Sequence, residues 1–171
     1  MIHLHILKFT SYPRYITDYL LMPLYLFFCK RNGALIGTRV NFLGKPIIKM
    51  MKGSNIIIGS NCLLCSRSGQ TALGVGHQII LRTLNKGAKL ILGKGVRMSG
   101  TTICAASRVE IGDRCVIGAD VIISDTDFHS LNAEIRSSKN DSLEAHNSPV
   151  FIGNDVFIGA GTLVPPNKVL E

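Results

Sequence analysis

An aliphatic residue, a glycine directly after it and a small or β-branched residue four positions after it recur six times in this chain. The set fits at Ile58, Gly59 and Cys62 ("IGSNCL"), at Leu92, Gly93 and Val96 ("LGKGVR"), and at Ile111, Gly112 and Cys115 ("IGDRCV"). It fits again at Ile117, Gly118 and Val121 ("IGADVI"), at Ile152, Gly153 and Val156 ("IGNDVF"), and at Ile158, Gly159 and Thr162 ("IGAGTL"). A period of six with one large aliphatic per unit means a short strand, a turn, and the same again. Three such units close a triangular coil, with the aliphatic slots stacked along its inside and the plus-four slots filling the remaining space. Glycine at plus one relieves backbone crowding at a corner. The expected fold is all-β, a parallel β-helix running from about residue 33. Composition agrees: 46% of residues are hydrophobic, which excludes bulk disorder, while only 6% are aromatic and Trp is absent. Such a core is built from Ile, Val, Leu and small side chains, and 171 residues suit one domain.

The rhythm breaks twice. Residues 66–90 and 126–148 read as inserted loops, the second rich in Ser, Asn and Asp and closed by Pro149. Ile111, Ile117 and Ile123 fall six apart, and the next step lands on His129, a polar residue in an aliphatic slot. A solenoid holds its coils rigid and presents inserted loops at one side, where function concentrates. If one imidazole nitrogen is held by a carbonyl or carboxylate, the other is free to take a proton from a hydroxyl or amine. Acyl transfer from a thioester needs such a base, an oxyanion donor and placement of two substrates. No Ser-His or Cys-His nucleophile signature is visible, so direct transfer is expected.

These repeats resemble those of the hexapeptide-repeat acyltransferases, closest to the branch that O-acetylates sugars in capsule and lipopolysaccharide synthesis. The resemblance covers roughly residues 33–164. It implies a left-handed parallel β-helix, acetyl-CoA as acyl donor and a sugar hydroxyl, less readily an amine, as acceptor. The sugar is free, lipid-linked or nucleotide-linked. It also implies a homotrimer with the pantetheine groove between neighbouring β-helices. "DTDFHSLNAEIR" (125–136) is similar to the family's active-site corner, which makes His129 the general base. Asp125 or Asp127 then orients it or holds the acceptor, and Arg136 belongs to the same loop. "ALGVGHQIILRTL" (72–84) places His77 near acceptor or coenzyme, and Gly159 and Ala160 fall where the coenzyme lies. Two alternatives stay open: acetylation of serine or a xenobiotic, and a non-catalytic β-helix that acts only in assembly. After "FIGAGTLV" the family continues for about two more coils, which complete the coenzyme groove. Here "PPNKVLE" follows, with two prolines that cannot donate ladder hydrogen bonds and Lys168 in a core slot. The chain therefore reads as C-terminally truncated relative to the family.

Other chemistries fit poorly. The five cysteines are odd in number, and no secretory leader is visible, which points to a reducing, cytoplasmic setting with free thiols. Cys62 and Cys115 fall in plus-four slots and are expected to be core residues. "CLLC" (62–65) lacks the second pair that a zinc site needs. The histidines at 3, 5, 77, 129 and 146 include no pair five apart, so three-histidine zinc chemistry, and any metal, is not expected. No helix-turn-helix, RNA-binding sheet or zinc-finger pattern supports a nucleic-acid partner.

Charge is divided along the chain. Residues 1–109 hold 15 Lys/Arg and one acid, Asp18, whereas residues 110–171 hold four Lys/Arg and ten acids. The basic part suits an anionic partner, such as phospholipid or substrate phosphates. Residues 1–32 form a distinct, expectedly helical segment, "ITDYLLMPLYLFFCK", flanked by Lys8, Arg14, Lys30 and Arg31. Its uncharged run from Tyr19 to Cys29 is shorter than the ~20 residues a bilayer span needs. It either lies on a membrane surface, peripheral on the inner face, or packs on its own domain or a neighbouring subunit.

Overall fold

The computed structural model describes residues 12–171, with side chains from residue 20 onward. Helix α1 (Tyr12–Arg31) leads into a run of strands two to four residues long. The first coil is β1 (Leu35–Ile36), β2 (Asn41–Leu43) and β3 (Ile47–Lys49). The second is β4 (Asn55–Ile58), β5 (Leu63–Cys65) and β6 (Ile80–Thr83); the third is β7 (Lys89–Leu92), β8 (Arg97–Ser99) and β9 (Thr102–Ala105). The fourth is β10 (Arg108–Ile111), β11 (Val116–Ala119) and β12 (Ile122–Ser124). After a loop that contains helix α2 (Ala133–Arg136) come β13 (Val150–Ile152), β14 (Phe157–Ile158) and β15 (Leu163–Val164), and β16 (Val169–Leu170) opens a sixth coil. Each strand pairs in parallel with the strand three later, giving three sheets of six, five and five strands. All-parallel sheets stacked in register are the arrangement typical of the left-handed parallel β-helix; the repeat predicts the coil, and the resemblance implies its hand.

Register explains why the aliphatic slot is large. Ile58, Leu92, Ile111 and Ile152 are direct partners along the first sheet. Phe42, Leu64, Met98, Ile117 and Ile158 line up along the second. Ile48, Leu81, Ile103, Ile123 and Val164 line up along the third. All fourteen are buried. Full burial of such a side chain contributes roughly 1.5–3 kcal/mol, so these three columns dominate the core.

The plus-four slots behave as expected in the interior coils. Cys62, Val96, Cys115 and Val121 are fully buried, and the Cys62 and Cys115 thiols donate to the Gly93 and Gly153 carbonyls at 3.2 and 3.0 Å. Val156 is only partly covered and Thr162 is exposed, because among the described residues no strand stacks over β14 or β15. The corner glycines are required by close approach. A Cβ on Gly93 would lie 2.5 Å from the Gly112 carbonyl carbon, and one on Gly112 would lie 2.6 Å from that of Gly153.

Two expectations are corrected. The first interruption is shorter than 66–90. It spans 66–79, with a 3-10 turn at Ser68–Gln70, and β6 and β7 already belong to the coils. "IILRTL" alternates, with Ile79, Leu81 and Thr83 buried, and that period of two is a strand signal. Also, the coil pattern does not stop at Val164. Pro165 and Pro166 lie in a turn where no ladder bond is asked of them, Phe151 N–H donates to the Lys168 carbonyl, and Val169–Leu170 pairs with β13.

Helix α1 packs against the first coil. Met22, Tyr25, Leu26 and Cys29, three or four residues apart, are the less exposed stripe, and Cys29 is buried in the core cluster with Tyr25 and Leu26 against it. The helix continues through Pro23. His3, His5 and Lys8, and the Arg14 side chain, lie outside the described residues.

Candidate active site

The 125–149 loop leaves the coil after β12 through a zipped neck. Asp127 N–H donates to the His146 carbonyl, Ser148 N–H donates to the Asp125 carbonyl, and Thr126 and Asn147 form an antiparallel bridge. The two chain directions are thus held together on a rigid base. Phe128 follows with φ +63°, a left-handed conformation uncommon for a bulky side chain, and its N–H donates to Thr126 Oγ1 at 3.1 Å. This bend swings His129 outward, its side chain 67% exposed.

His129 Nδ1 lies 2.5 Å from Asp141 Oδ2, and the other oxygen of Asp141 accepts the Ser130 N–H at 2.7 Å. Arg136, at the end of α2, donates from a guanidinium nitrogen to the Ser130 carbonyl at 3.1 Å. α2 is in turn capped by Asn132, whose side chain accepts from the Glu134 and Ile135 N–H groups. The hydrogen bond from His129 holds the Asp141 carboxyl below its ordinary range, with the Ser130 amide and the Arg136 charge adding to it. An ionised carboxylate only accepts, so Nδ1 carries the proton, and in the neutral ring the lone pair is on Nε2. That is the protonation state a general base requires.

Asp125 and Asp127, expected to orient the histidine, do not do so in this structure. Asp125 is fully buried, and its carboxylate accepts the N–H groups of Ala106, Ser107 and Arg108 at 2.6–2.7 Å, tying the fourth coil to the turn below it. Burial also removes it as an acceptor ligand. A buried carboxylate needs such donors, and the amides of that turn supply them. Asp127 is exposed beside the neck. Orientation falls to Asp141, which lies twelve residues from His129 in a stretch without period.

The shorter loop, 66–79, folds down its corner of the prism. Gly76 N–H donates to both Asp120 carboxylate oxygens at 3.0 and 2.9 Å, spanning two coils. Asp120, also at positive φ, therefore anchors this loop, a role no sequence signal marked. His77 is exposed next to that anchor, with Nδ1 2.7 Å from the Gln78 carbonyl oxygen, and is not brought into contact with His129. Gly159 and Ala160 stand at the same corner one coil beyond Asp120. Ala160 N lies 2.5 Å from where a Cβ on Gly118 would be, so this corner is closely stacked. Among the described residues no three His, Cys, Asp or Glu side chains converge as a metal-ligand set.

Residues 108–124, from β10 to β12, match the family described as the hexapeptide repeat of succinyl-transferase. Comparison with curated proteins finds no match. Comparison with solved structures finds none either.

Proposed function

We propose that this hexapeptide-repeat chain is an acyl-CoA-dependent acyltransferase that moves an acetyl group to a sugar hydroxyl in surface-polysaccharide assembly. The observation that carries this reading is the His129–Asp141 pair, presented with Nε2 free on the loop that directly follows the matched repeat. Nε2 takes the acceptor proton as its oxygen attacks the thioester carbonyl. The tetrahedral oxyanion then collapses, breaking the C–S bond, and the coenzyme thiolate is protonated as it leaves. Asp141 holds the ring in one tautomer and stabilises the imidazolium formed in transit, with no covalent acyl-enzyme. Arg136 positions this unit through Ser130. Asp127 and His77 remain available to the acceptor, and Gly159 and Ala160 line the corner where the coenzyme is expected.

The site of a single chain is open. Phe128, Leu131 and Leu143 are exposed apolar residues around the pair. We read them as contacts for substrate or for a neighbouring subunit of a homotrimer, in which the acyl-donor groove lies between prisms.

The test is thiol release from acetyl-CoA with a panel of sugar acceptors, on protein whose mass in solution has been measured. Turnover by a species of three chains is expected, and His129→Ala should cost on the order of 10²–10⁴-fold in kcat. Absence of turnover together with absence of coenzyme binding would leave the structural, non-enzymatic reading. Near-normal activity in His129→Ala would remove that residue as the base.

A further inference from the structure

Helix α1 presents two apolar faces at the first coil. One stripe of α1 (Tyr25, Leu26, Cys29) is packed on the core, yet the other is also apolar. Leu20, Leu24, Phe27 and Phe28 recur three or four residues apart on it, with Leu24 45% and Phe27 56% exposed. A helix with two apolar stripes satisfies only one of them by packing on its own domain. The surroundings of the free stripe are cationic. Lys30 and Arg31 close the helix, and Lys45, Lys49 and Lys52 project from the first coil and the turn that leaves it, all exposed. Between Asp18 and Glu110 the sequence has no acidic residue to offset them. Lys45 and Lys49 also line a crevice of about 280 Å³ between α1 and β3, whose floor includes Tyr25, Phe28 and Ile48.

In a solenoid, position in sequence is position along the axis. The charge division of the chain is therefore a division in space: the end bearing α1 is basic, and the end bearing the 125–149 loop and β13–β16 is acidic. An anionic plane attracts one end of such a prism and repels the other. Among the described residues no helix is long and apolar enough to cross a membrane, so insertion would be interfacial.

We propose that the α1 end is a docking surface for an anionic phospholipid bilayer. The Leu20, Leu24, Phe27, Phe28 stripe enters the headgroup boundary, the lysines and Arg31 meet lipid phosphates, and the prism stands end-on. Coils are spaced by ~4.8 Å, so the fourth coil, from which the His129 loop leaves, stands roughly 14 Å beyond the first. If acyl transfer at His129 also holds, acceptors anchored in the same bilayer would be met at that height. Docking itself does not depend on that reading.

The experiment is flotation of the full chain with vesicles of phosphatidylcholine alone and of phosphatidylcholine mixed with phosphatidylglycerol, at low and high salt. Binding to the mixed vesicles, weakened by salt, is expected. Each lysine near such a surface is worth roughly fivefold in partitioning, so Lys45→Ala with Lys49→Ala should lose roughly 25-fold. Leu24→Ser with Phe27→Ser should lose at least ~10-fold, as two apolar side chains no longer leave water. Both variants should melt like the parent and keep their activity on soluble acceptors, which separates this test from that of His129. Because the native cysteines are buried, single exposed thiols can be labelled selectively. A fluorophore at Met51→Cys should be quenched by headgroup spin-labelled lipid, and one at Asn154→Cys should not. Docking is overturned if folded parent protein stays with neither vesicle type, or if the variants bind as well as the parent. It is also overturned if the serine variant changes only self-association, which would make the stripe a contact between copies. Equal quenching at both labels overturns the end-on orientation.

Discussion

Three aspartates lie near one histidine in sequence or in space, and geometry gives each a different task. Asp141 touches the ring; Asp125 touches three backbone amides; Asp127 stands in solvent. The tasks separate by measurement. Asp125→Ala leaves three N–H groups of a partly buried turn without acceptors, at about 1–3 kcal/mol each when buried, so a stability loss on the order of 3 kcal/mol is expected in denaturant titration. Asp141→Asn should leave the melt near that of the parent and lower kcat on the order of 10-fold or more, short of the loss in His129→Ala. Equal effects of the two on stability would contradict the assignment. Because its folded carboxyl is held below the ordinary range, Asp141 adds to loop stability above that range, and the contribution is lost only as pH falls through the lowered value. Acid titration of the His129 ring resonances should show the inflection there. Loss within the ordinary carboxylate range would mean the pair is not formed. His129 was legible in the sequence because it breaks a period. Asp141 was not, since a side chain in a non-periodic loop has no register from which to compute its neighbours.

The coils and their corners are elements whose rules are written in the repeat. A Cβ on Gly93 meets backbone of the next coil on one side, and backbone cannot swing away as a side chain can. Gly93→Ala should cost about 1–3 kcal/mol or more in chemical denaturation. Parent-like stability would show that the coils are more loosely stacked than described. The alternation of "IILRTL" is also a strand signal, yet residues 66–90 read as loop throughout because the period of six lapses there, and β6 emerges only in the structure. The loop's own course was not visible. Gly76 finds Asp120 forty-four residues away because the intervening coils bring those corners one above the other.

Across the molecule, the stacking that forms the core also shields the thiols. All five cysteines are buried, and burial pushes the Cys29 thiol up to about 11 and raises those of Cys62, Cys104 and Cys115. Native protein at pH 8 should therefore react very slowly with a disulfide reagent and release five equivalents on unfolding. Rapid labelling of the folded chain would contradict the core assignment. The sign of the coupling also follows. A raised thiol value favours the native state fully below the ordinary thiol range, and Cys29's contribution fades as pH climbs toward 11.

By itself, the amino-acid order determined the period, hence the triangular coil, the inward columns, the core places of Cys62 and Cys115 and the division of charge. All of these follow from local spacing, because in a solenoid each residue's neighbours lie a constant number of units away. Tertiary structure alone decided what the two loops hold: which aspartate meets His129, which is buried beneath a turn, and which end of the prism keeps an uncovered apolar stripe. Those contacts join residues whose separation follows no period, and only the folded path of the chain brings them within hydrogen-bonding or packing distance.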